Sequence, residues 1–410
     1  MGVAALATLA SGQGRGQDAL QVLKANQAAA EARRLNLESQ PYTLKAGELR
    51  MLAATSLEVD WNDNVNAAQH GAESDFIVRP AGQLTASYPV TQSSLLSLNV
   101  QGGYNKYLEH DVFSYWYVGS GSGVALDLDA GQFTFDVHDR MQETQDSALN
   151  GAVAGTGLYG TFQNTAGVLG AWDLNDFVPS IGYDHQNYIP AFNNFNYLTY
   201  SAEDFYVRTP FRVHPRVSVG PEATAALTSY EEPVLNNNTA LTAGLFGDWR
   251  PNSALRVTGR GGYVAYLFEQ TSTRIKAQNL YSWYGDLTAS DQVTDKISAS
   301  VSAGHQFSLG IQSQLYEAWY VNPGAAWRAT RDISLRTSAS CQYGTQSLGV
   351  LVGNPHEDYN WESLDLGLDY SPRRNLKMSL DYRLTLRSSN LAMRSYTQDQ
   401  LGLLLSYSFQ

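Results

Sequence analysis

The sequence predicts an all-β protein: a transmembrane, antiparallel, up-and-down β-barrel of about 18 strands (roughly 16 to 18), with a short N-terminal extension. Three observations predict it. Apolar and polar side chains alternate with period 2 almost without interruption from Leu49 to Gln410. Charged residues are only 16% of the chain, yet no apolar run approaches the ~18 residues of a helical span. Connections also alternate in kind, tight turns of Pro, Asn, Asp and Arg against looser loops, which is the asymmetry of membrane barrels.

Composition bounds the alternatives. The 410 residues include 35 Gly, 25 Tyr and 8 Trp, with 43% hydrophobic residues and a mean hydropathy of −0.29. A soluble all-β protein of this length normally shows more charge. The net charge of −12 argues against a basic nucleic-acid-binding face. A single cysteine, Cys341, permits no internal disulfide and no Cys-based metal cluster. Residues 1–16 carry a short Ala/Leu/Val stretch followed by Ala10-Ser11-Gly12, the remnant expected of a secretory signal. Residues 17–48 are expected to be a periplasmic extension, helical or disordered: Ala, Gln, Glu and Arg dominate up to Gln40, and Pro41 ends the pattern. The barrel is expected over 49–410.

The strands follow in order. Leu57, Val59 and Trp61 alternate with Glu58 and Asp60, then Asn62-Asp63-Asn64 interrupts. Leu84, Ala86 and Tyr88 lead through a turn into Leu96, Leu98, Val100, Gly102 and Tyr104. Trp116, Val118, Val124, Leu126 and Leu128 enclose the Gly119 to Gly123 run, where glycine permits bending or close backbone approach. Phe133, Phe135, Val137 and Met141 oppose Thr134, Asp136, His138 and Arg140. The style then repeats: an apolar face leads to a tight turn such as Leu174-Asn175-Asp176, His214-Pro215-Arg216, Arg250-Pro251-Asn252 or Ser371-Pro372-Arg373-Arg374, and returns. Leu401, Leu403, Leu405, Tyr407 and Phe409 close the series, against Gly402, Leu404, Ser406 and Ser408. Such a strand needs a partner for its edge and something apolar to face; closing a barrel in a bilayer supplies both. An edge strand of a soluble β-sandwich is the other reading of that stretch.

Two residue sets follow from the pattern. Tyr88, Trp172, Trp249, Trp327 and Tyr370 each precede a tight turn, and Tyr407 and Phe409 end the chain at the same level; these seven form the expected aromatic girdle at one headgroup boundary. Opposite the apolar face, mid-strand, stand Arg79, Asp127, Asp136, Arg140, Arg208, Arg256, Arg260, Asp286, Arg336, Asp365, Lys377, Asp381 and Arg383. Charges of both signs would ruin a dry core but suit an aqueous lumen, so these thirteen are the expected lumen-lining charges. The outer face of a sandwich would tolerate them too.

The Lys45-Ala46-Gly47 start, Asp60-Trp61-Asn62-Asp63-Asn64-Val65, Asp75-Phe76-Ile77 and Gly103-Tyr104-x-x-Tyr107 resemble the opening of the β-barrel porin family of Gram-negative outer membranes. The terminal stretch resembles the C-terminal signal of outer-membrane barrels, with Gln410 following the Phe that usually ends it. The resemblance implies a location in the cell outer membrane and contact with outer-membrane lipid, lipopolysaccharide and the barrel-assembly machinery; it says little about a solute.

No catalytic, cofactor-binding or metal site is expected. Gly155-x-Gly157-x-x-Gly160 matches a dinucleotide fingerprint but lies in a loop with no helix after it. Of seven histidines only His138 has charged company, and no serine is placed beside it; there is no His-x-x-x-His pair. Two lumen features are open in either direction. The Glu143 to Tyr159 loop is the third external one and the longest, and either folds into the pore or stands outside. The inward tyrosines Tyr115, Tyr117, Tyr206, Tyr266, Tyr284, Tyr316 and Tyr320 either form a stacking track for sugars or fill volume and hydrogen-bond to interior charges. Arginines in the tight turns, against Glu109, Asp111, Glu143, Glu231, Glu232, Glu357 and Asp358 in the loops, predict an acidic outer mouth and weak cation selectivity.

The expected function is a channel for passive or semi-selective diffusion of small hydrophilic solutes, with no enzyme activity. The alternative is a structural or export-associated barrel whose 17–40 segment docks a periplasmic secretion or polysaccharide-export component. Both a homo-oligomer and a periplasmic partner are compatible with the sequence; nucleic acid is not an expected partner.

Overall fold

The structure, a computed structural model, describes residues 41–144, 151–157, 159–351 and 353–410. The expected signal remnant, and the helix or disordered stretch up to Gln40, lie outside the described residues. A three-residue strand, β1 (Leu44–Ala46), turns through Gly47 at φ 61° and pairs with β2, just ahead of the expected start at Leu49. The wall then comprises β2 (Leu49–Asn62), β3 (Asp75–Pro89), β4 (Leu95–Tyr107), β5 (Tyr115–Val118), β6 (Ser122–Ala130), β7 (Phe133–Thr144), β8 (Thr161–Trp172), β9 (Ser180–Pro190), β10 (Tyr200–Arg208) and β11 (Phe211–His214). It continues with β12 (Val217–Tyr230), β13 (Asn238–Trp249), β14 (Leu255–Phe268), β15 (Leu280–Thr294), β16 (Ile297–Leu309), β17 (Leu315–Arg328), β18 (Ile333–Ser347), β19 (His356–Arg373), β20 (Leu376–Ser389) and β21 (Tyr396–Phe409). Each pairs antiparallel with its neighbour, and β2 pairs with β21 from Ala53↔Phe409 to Asn62↔Gln400, which closes the cylinder. β5–β6 and β10–β11 are each one wall strand interrupted once, so the closed barrel has 18 strands.

The two interruptions preserve the facing of side chains. Across Asn99 to Gly102 of β4 the partner runs from Gly123 to Val118, two residues longer. An insertion of two leaves the period intact, so Trp116 and Val124 still share a face. The detour depends on glycine: Gly123 sits at φ 154°, and a Cβ there would lie 2.2 Å from the Asp139 carbonyl oxygen. Between β10 and β11 stands Thr209-Pro210, where proline has no N–H for the ladder.

The ends differ. At one, connections are short: two residues between β6 and β7, β11 and β12, β15 and β16, and β19 and β20. At the other they are longer, with 16 residues (145–160) between β7 and β8 and 12 (63–74) between β2 and β3. Short turns mark the periplasmic side of a bacterial barrel and long loops the external side.

The outer surface is apolar. Leu245, Tyr263, Ile181 and Tyr281 are each at least 66% exposed, and the other outward positions form a continuous belt of Leu, Val, Phe, Trp and Tyr. Soluble monomers rarely show an apolar patch beyond a few hundred Å². This face is stable against hydrocarbon, and a closed barrel meets the requirement that every backbone group be paired there. Tyr88, Trp172, Trp249, Trp327, Tyr370, Tyr407 and Phe409 all point outward at the short-turn end, 39–50% exposed. A second outward aromatic set near the loop end includes Trp61, Phe76, Trp116, Tyr263, Tyr281 and Trp283.

Candidate functional site

The inner face of the wall is the site. Towards the short-turn end it carries small polar residues, such as Ser298, Ser300 and Ser302 on β16 and Ser334, Ser338 and Ser340 on β18, with ion pairs set among them. Period-2 alternation puts every second residue inward, and barrel curvature brings charges on next-but-one strands within reach of one another.

All thirteen expected charges lie on this face, in local groups. Arg79 pairs with Asp60 and lies 3.8 Å from Glu58. Asp127 and Asp136 are opposite one another in register, with Arg140 two turns of the pleat further along β7. Glu222 lies between Arg208 (3.9 Å) and Arg260 (3.8 Å); Arg260 also faces Asp286 (3.7 Å), and Arg256 pairs with Asp248 (2.7 Å). The Arg208 guanidinium lies over the Phe246 ring, 3.5 Å from its centroid. Arg336 bridges Asp369 and Asp381, each at 2.8 Å; Lys377 approaches Asp369 at 3.2 Å, and Arg383 pairs with Asp365 at 2.6 Å. These groups face the interior, some half-buried, such as Arg336 and Arg383, and others buried, such as Asp60 and Glu222.

His138 belongs to a tighter group. Its Nδ1 meets Asp136 and its Nε2 meets Asp184 at 2.7 Å, with all three side chains buried. Both ring nitrogens are therefore engaged by carboxylates, which leaves neither as a base for a nucleophile.

At the loop end the interior is crowded, and the 145–160 connection is the reason. Its described part folds into the barrel. Gly151 packs on Trp361 and Tyr359 of β19. Arg387 Nε of β20 donates to the Gly151 carbonyl (2.8 Å), while Arg394 Nη2 and Gln346 Nε2 donate to the Ala152 carbonyl (3.3 Å each). Ala154 joins Ala67 and Tyr396, Gly157 lies against Val65 and Phe113, and the Tyr159 hydroxyl meets that of Tyr188 on the way back to β8. The loop thus leaves β7, reaches the opposite wall at β18–β20 and returns. Gly155 and Gly157 serve this close packing, with no helix after them.

Glu357 organises the far anchor. Its Oε1 accepts from Arg387 Nη2 (2.8 Å), Arg394 Nε (2.8 Å) and Ser389 Oγ (2.7 Å), and its Oε2 from Gln346 Nε2 (2.8 Å). Glu357 is 0% exposed. This corrects its expected place on an acidic outer rim: Glu357 is the second residue of a strand and faces in, where two arginines neutralise it. Asp358, its neighbour, faces out and accepts from the Tyr343 hydroxyl (3.3 Å).

Beside the loop a packed cluster narrows one side of the interior. It combines Tyr159, Tyr188, Tyr200 and Tyr266 with Phe195, Leu235, Ile275 and Ile311 from other inward-folded loops. Several inward tyrosines lie flat against the wall because they rest on a glycine of a neighbouring strand. Tyr206 is opposite Gly182 and Tyr359 opposite Gly344, and a Cβ at either glycine would sit 2.1 Å from the ring. Tyr117 on Gly103 and Tyr320 on Gly304 repeat the arrangement. Ring on glycine is a known way to cover exposed strand backbone. Tyr284 and Tyr320 donate to Glu222 (3.3 Å) and Asp286 (3.2 Å). This is the volume-filling, hydrogen-bonding role rather than a row of standing rings.

His138 was singled out for its charged company, but its second partner Asp184 and the Glu357–Arg387–Arg394 anchor were not found by sequence reasoning. The missed members are ordinary charged residues of the inward parity; the local signal for the anchor is that Arg387 continues the inward set of β20 begun by Lys377, Asp381 and Arg383.

The sequence matches no protein-family model and no curated protein. Among solved structures it is similar to Pseudomonas aeruginosa OccK2 (OpdF) in complex with glucuronate, at 12% identity over 87% of this chain and 97% of that one, with a TM-score of 0.50. Acinetobacter baumannii OccAB3 (9% identity, 88% and 99% covered, TM-score 0.48) and the outer membrane protein OprD of P. aeruginosa (11%, 88% and 93%, 0.48) also match. The likeness is one of fold.

Proposed function

We propose that this chain is an outer-membrane, porin-like channel for passive or semi-selective diffusion of small hydrophilic solutes. The observation that carries the reading is the combination in one closed cylinder of an apolar exterior and an interior lined by paired charges, with one loop drawn across the passage. An apolar belt places the barrel in a membrane, and short turns at one end with longer loops at the other give it a direction. The paired interior charges stay hydrated without fixing one strong sign, which suits small polar solutes better than a single highly charged one. The fold shared with OccK2, crystallised with glucuronate, supports that size class. The seven outward aromatics at the short-turn end act as headgroup anchors, and the thirteen inward charges line the path. The barrel chemistry derived above involves no bond-making step.

Purified protein in planar bilayers tests the reading. A steady ohmic current with discrete single-channel steps is expected. A barrel that inserts, shown by heat-modifiable gel mobility, but carries no current would overturn it in favour of a structural or export-associated role.

A further inference from the structure

We propose that a groove on the lipid-facing side of β14–β19 binds one lipopolysaccharide molecule, with an acyl chain along its floor and a sugar or acyl hydroxyl donated to Glu317. The proposal rests on the membrane-barrel reading above.

The groove is built by the outward parity of neighbouring strands from β14 to β19, with Asn360 and Glu362 of β19 on its far side. Gly285, Ala303 and Cys341 make a floor of small side chains, and Trp283, Trp319 and Tyr343 rise beside it, each 45–46% exposed. A Cβ at Gly285 would sit 3.3 Å from the Trp283 ring, so the indole leans over the glycine and deepens the recess. The recess has a volume of about 700 Å³, within the ~300–1,000 Å³ of small-ligand sites. It opens into the apolar belt, where the medium is hydrocarbon. Water there would lack partners and a void would forfeit dispersion contacts, whereas a methylene chain satisfies the walls. A second barrel presents a broad convex wall that would bridge the rims, whereas a single chain can enter between them.

The polar end of the groove lies at the loop-side edge of the belt, where an exposed outward pair, His185–Glu203, also stands; here the histidine is buried inside a recess. His305 faces outward on β16, opposite Trp319, and is 2% exposed. Its ring is stacked 4.3 Å from Trp319 and lies 4.4 Å from Trp283. Nε2 meets Glu317 Oε1 at 2.7 Å, and Nδ1 is buried with no hydrogen-bond partner among the described residues. An ionisable pair on a lipid-facing surface is costly and marks function by default. Glu317 is 37% exposed, and among the described residues only its Oε1 is engaged, by His305, which leaves the second carboxylate oxygen to accept from a ligand. His305 lies four residues from the external end of β16 and Glu317 two from that of β17. That depth is the outer-leaflet boundary, where the lipid is an acylated, hydroxyl-rich sugar.

Two measurements on the whole protein test this. In native mass spectrometry after detergent exchange, the wild-type barrel should retain one lipopolysaccharide. Ala303→Trp, which fills the floor from outside the lumen, should lose it, and Glu317→Gln should weaken retention roughly tenfold, the worth of one charge-assisted hydrogen bond. In the wild type, brominated phosphatidylcholine should quench tryptophan, and unbrominated lipopolysaccharide should relieve quenching at sub-stoichiometric lipid fractions; Trp283→Phe with Trp319→Phe should abolish that relief. Equal retention by wild type and Ala303→Trp, relief only in proportion to bulk lipid, or protein dimers in place of the adduct would each overturn the proposal. Loss of single-channel current in the wild type would instead strike the channel reading, so the two failures are distinguishable.

Discussion

The two halves of the barrel interior are built from the same alternating strands and yet differ in kind. In the periplasmic half, serines, glycines and half-buried ion pairs such as Arg336–Asp369–Lys377 line an open wall. In the external half, loops fold inward and bury their partners: Glu357, Tyr159 and Leu235 are all 0% exposed. The charges differ in consequence. Where water remains, a pair is screened and contributes little. Where the loop excludes water, removal of one partner leaves a buried charge uncompensated. Selectivity is therefore expected to reside in the external half, and the periplasmic half serves as a vestibule.

The strongest challenge to this contrast is removal of the loop. Deleting Ala148 to Gly157 should raise single-channel conductance several-fold in planar bilayers, and unchanged conductance would place the narrowest point elsewhere. Next in size is Arg387→Met, which strips Glu357 of one of its two arginines and releases the Gly151 carbonyl. A loss of about 3–5 kcal/mol is expected in urea unfolding from lipid vesicles, with flickering open states in current traces. The matched change in the vestibule, Arg336→Met, leaves Lys377 on Asp369 and should cost about 1 kcal/mol or less; equal losses at the two sites would erase the distinction. The smallest effect concerns ion preference. Glu231 and Glu232 stay at the mouth although Glu357 does not, so a weak cation preference should appear in the reversal potential and shrink in Glu231→Gln with Glu232→Gln. An anion preference in the wild type would show that the inner arginines, not the mouth, set the sign.

Much of the fold was legible because its governing signal is local. The alternation at Leu57-Val59-Trp61 or Leu401-Leu403-Leu405 states which side each residue faces without knowledge of any partner. The Gly119 to Gly123 run was readable as a bend, and the structure shows a two-residue insertion there that leaves the facing unchanged. Glu357 was misread for an equally local reason: β19 begins at His356, so a residue assigned to a polar loop is in fact the second of a strand and inward by parity. The loop-end aromatics were missed as a band because Trp61 and Tyr263 lie within strands, where no adjacent turn marks their depth.

The order of side chains along the chain was enough to determine the architecture, the approximate strand number, the membrane-facing surface and which end bears the loops. Period 2 and turn chemistry act within a few residues, so they can be read there. Only the tertiary structure decided which inward groups meet. Arg387 and Gly151 are 236 residues apart, Arg394 and Ala152 242, and His138 meets Asp184 across a neighbouring strand. Such contacts depend on the register of every intervening pair and on closure of β2 against β21. A one-residue slip would turn each of them outward while leaving the local pattern as it stands.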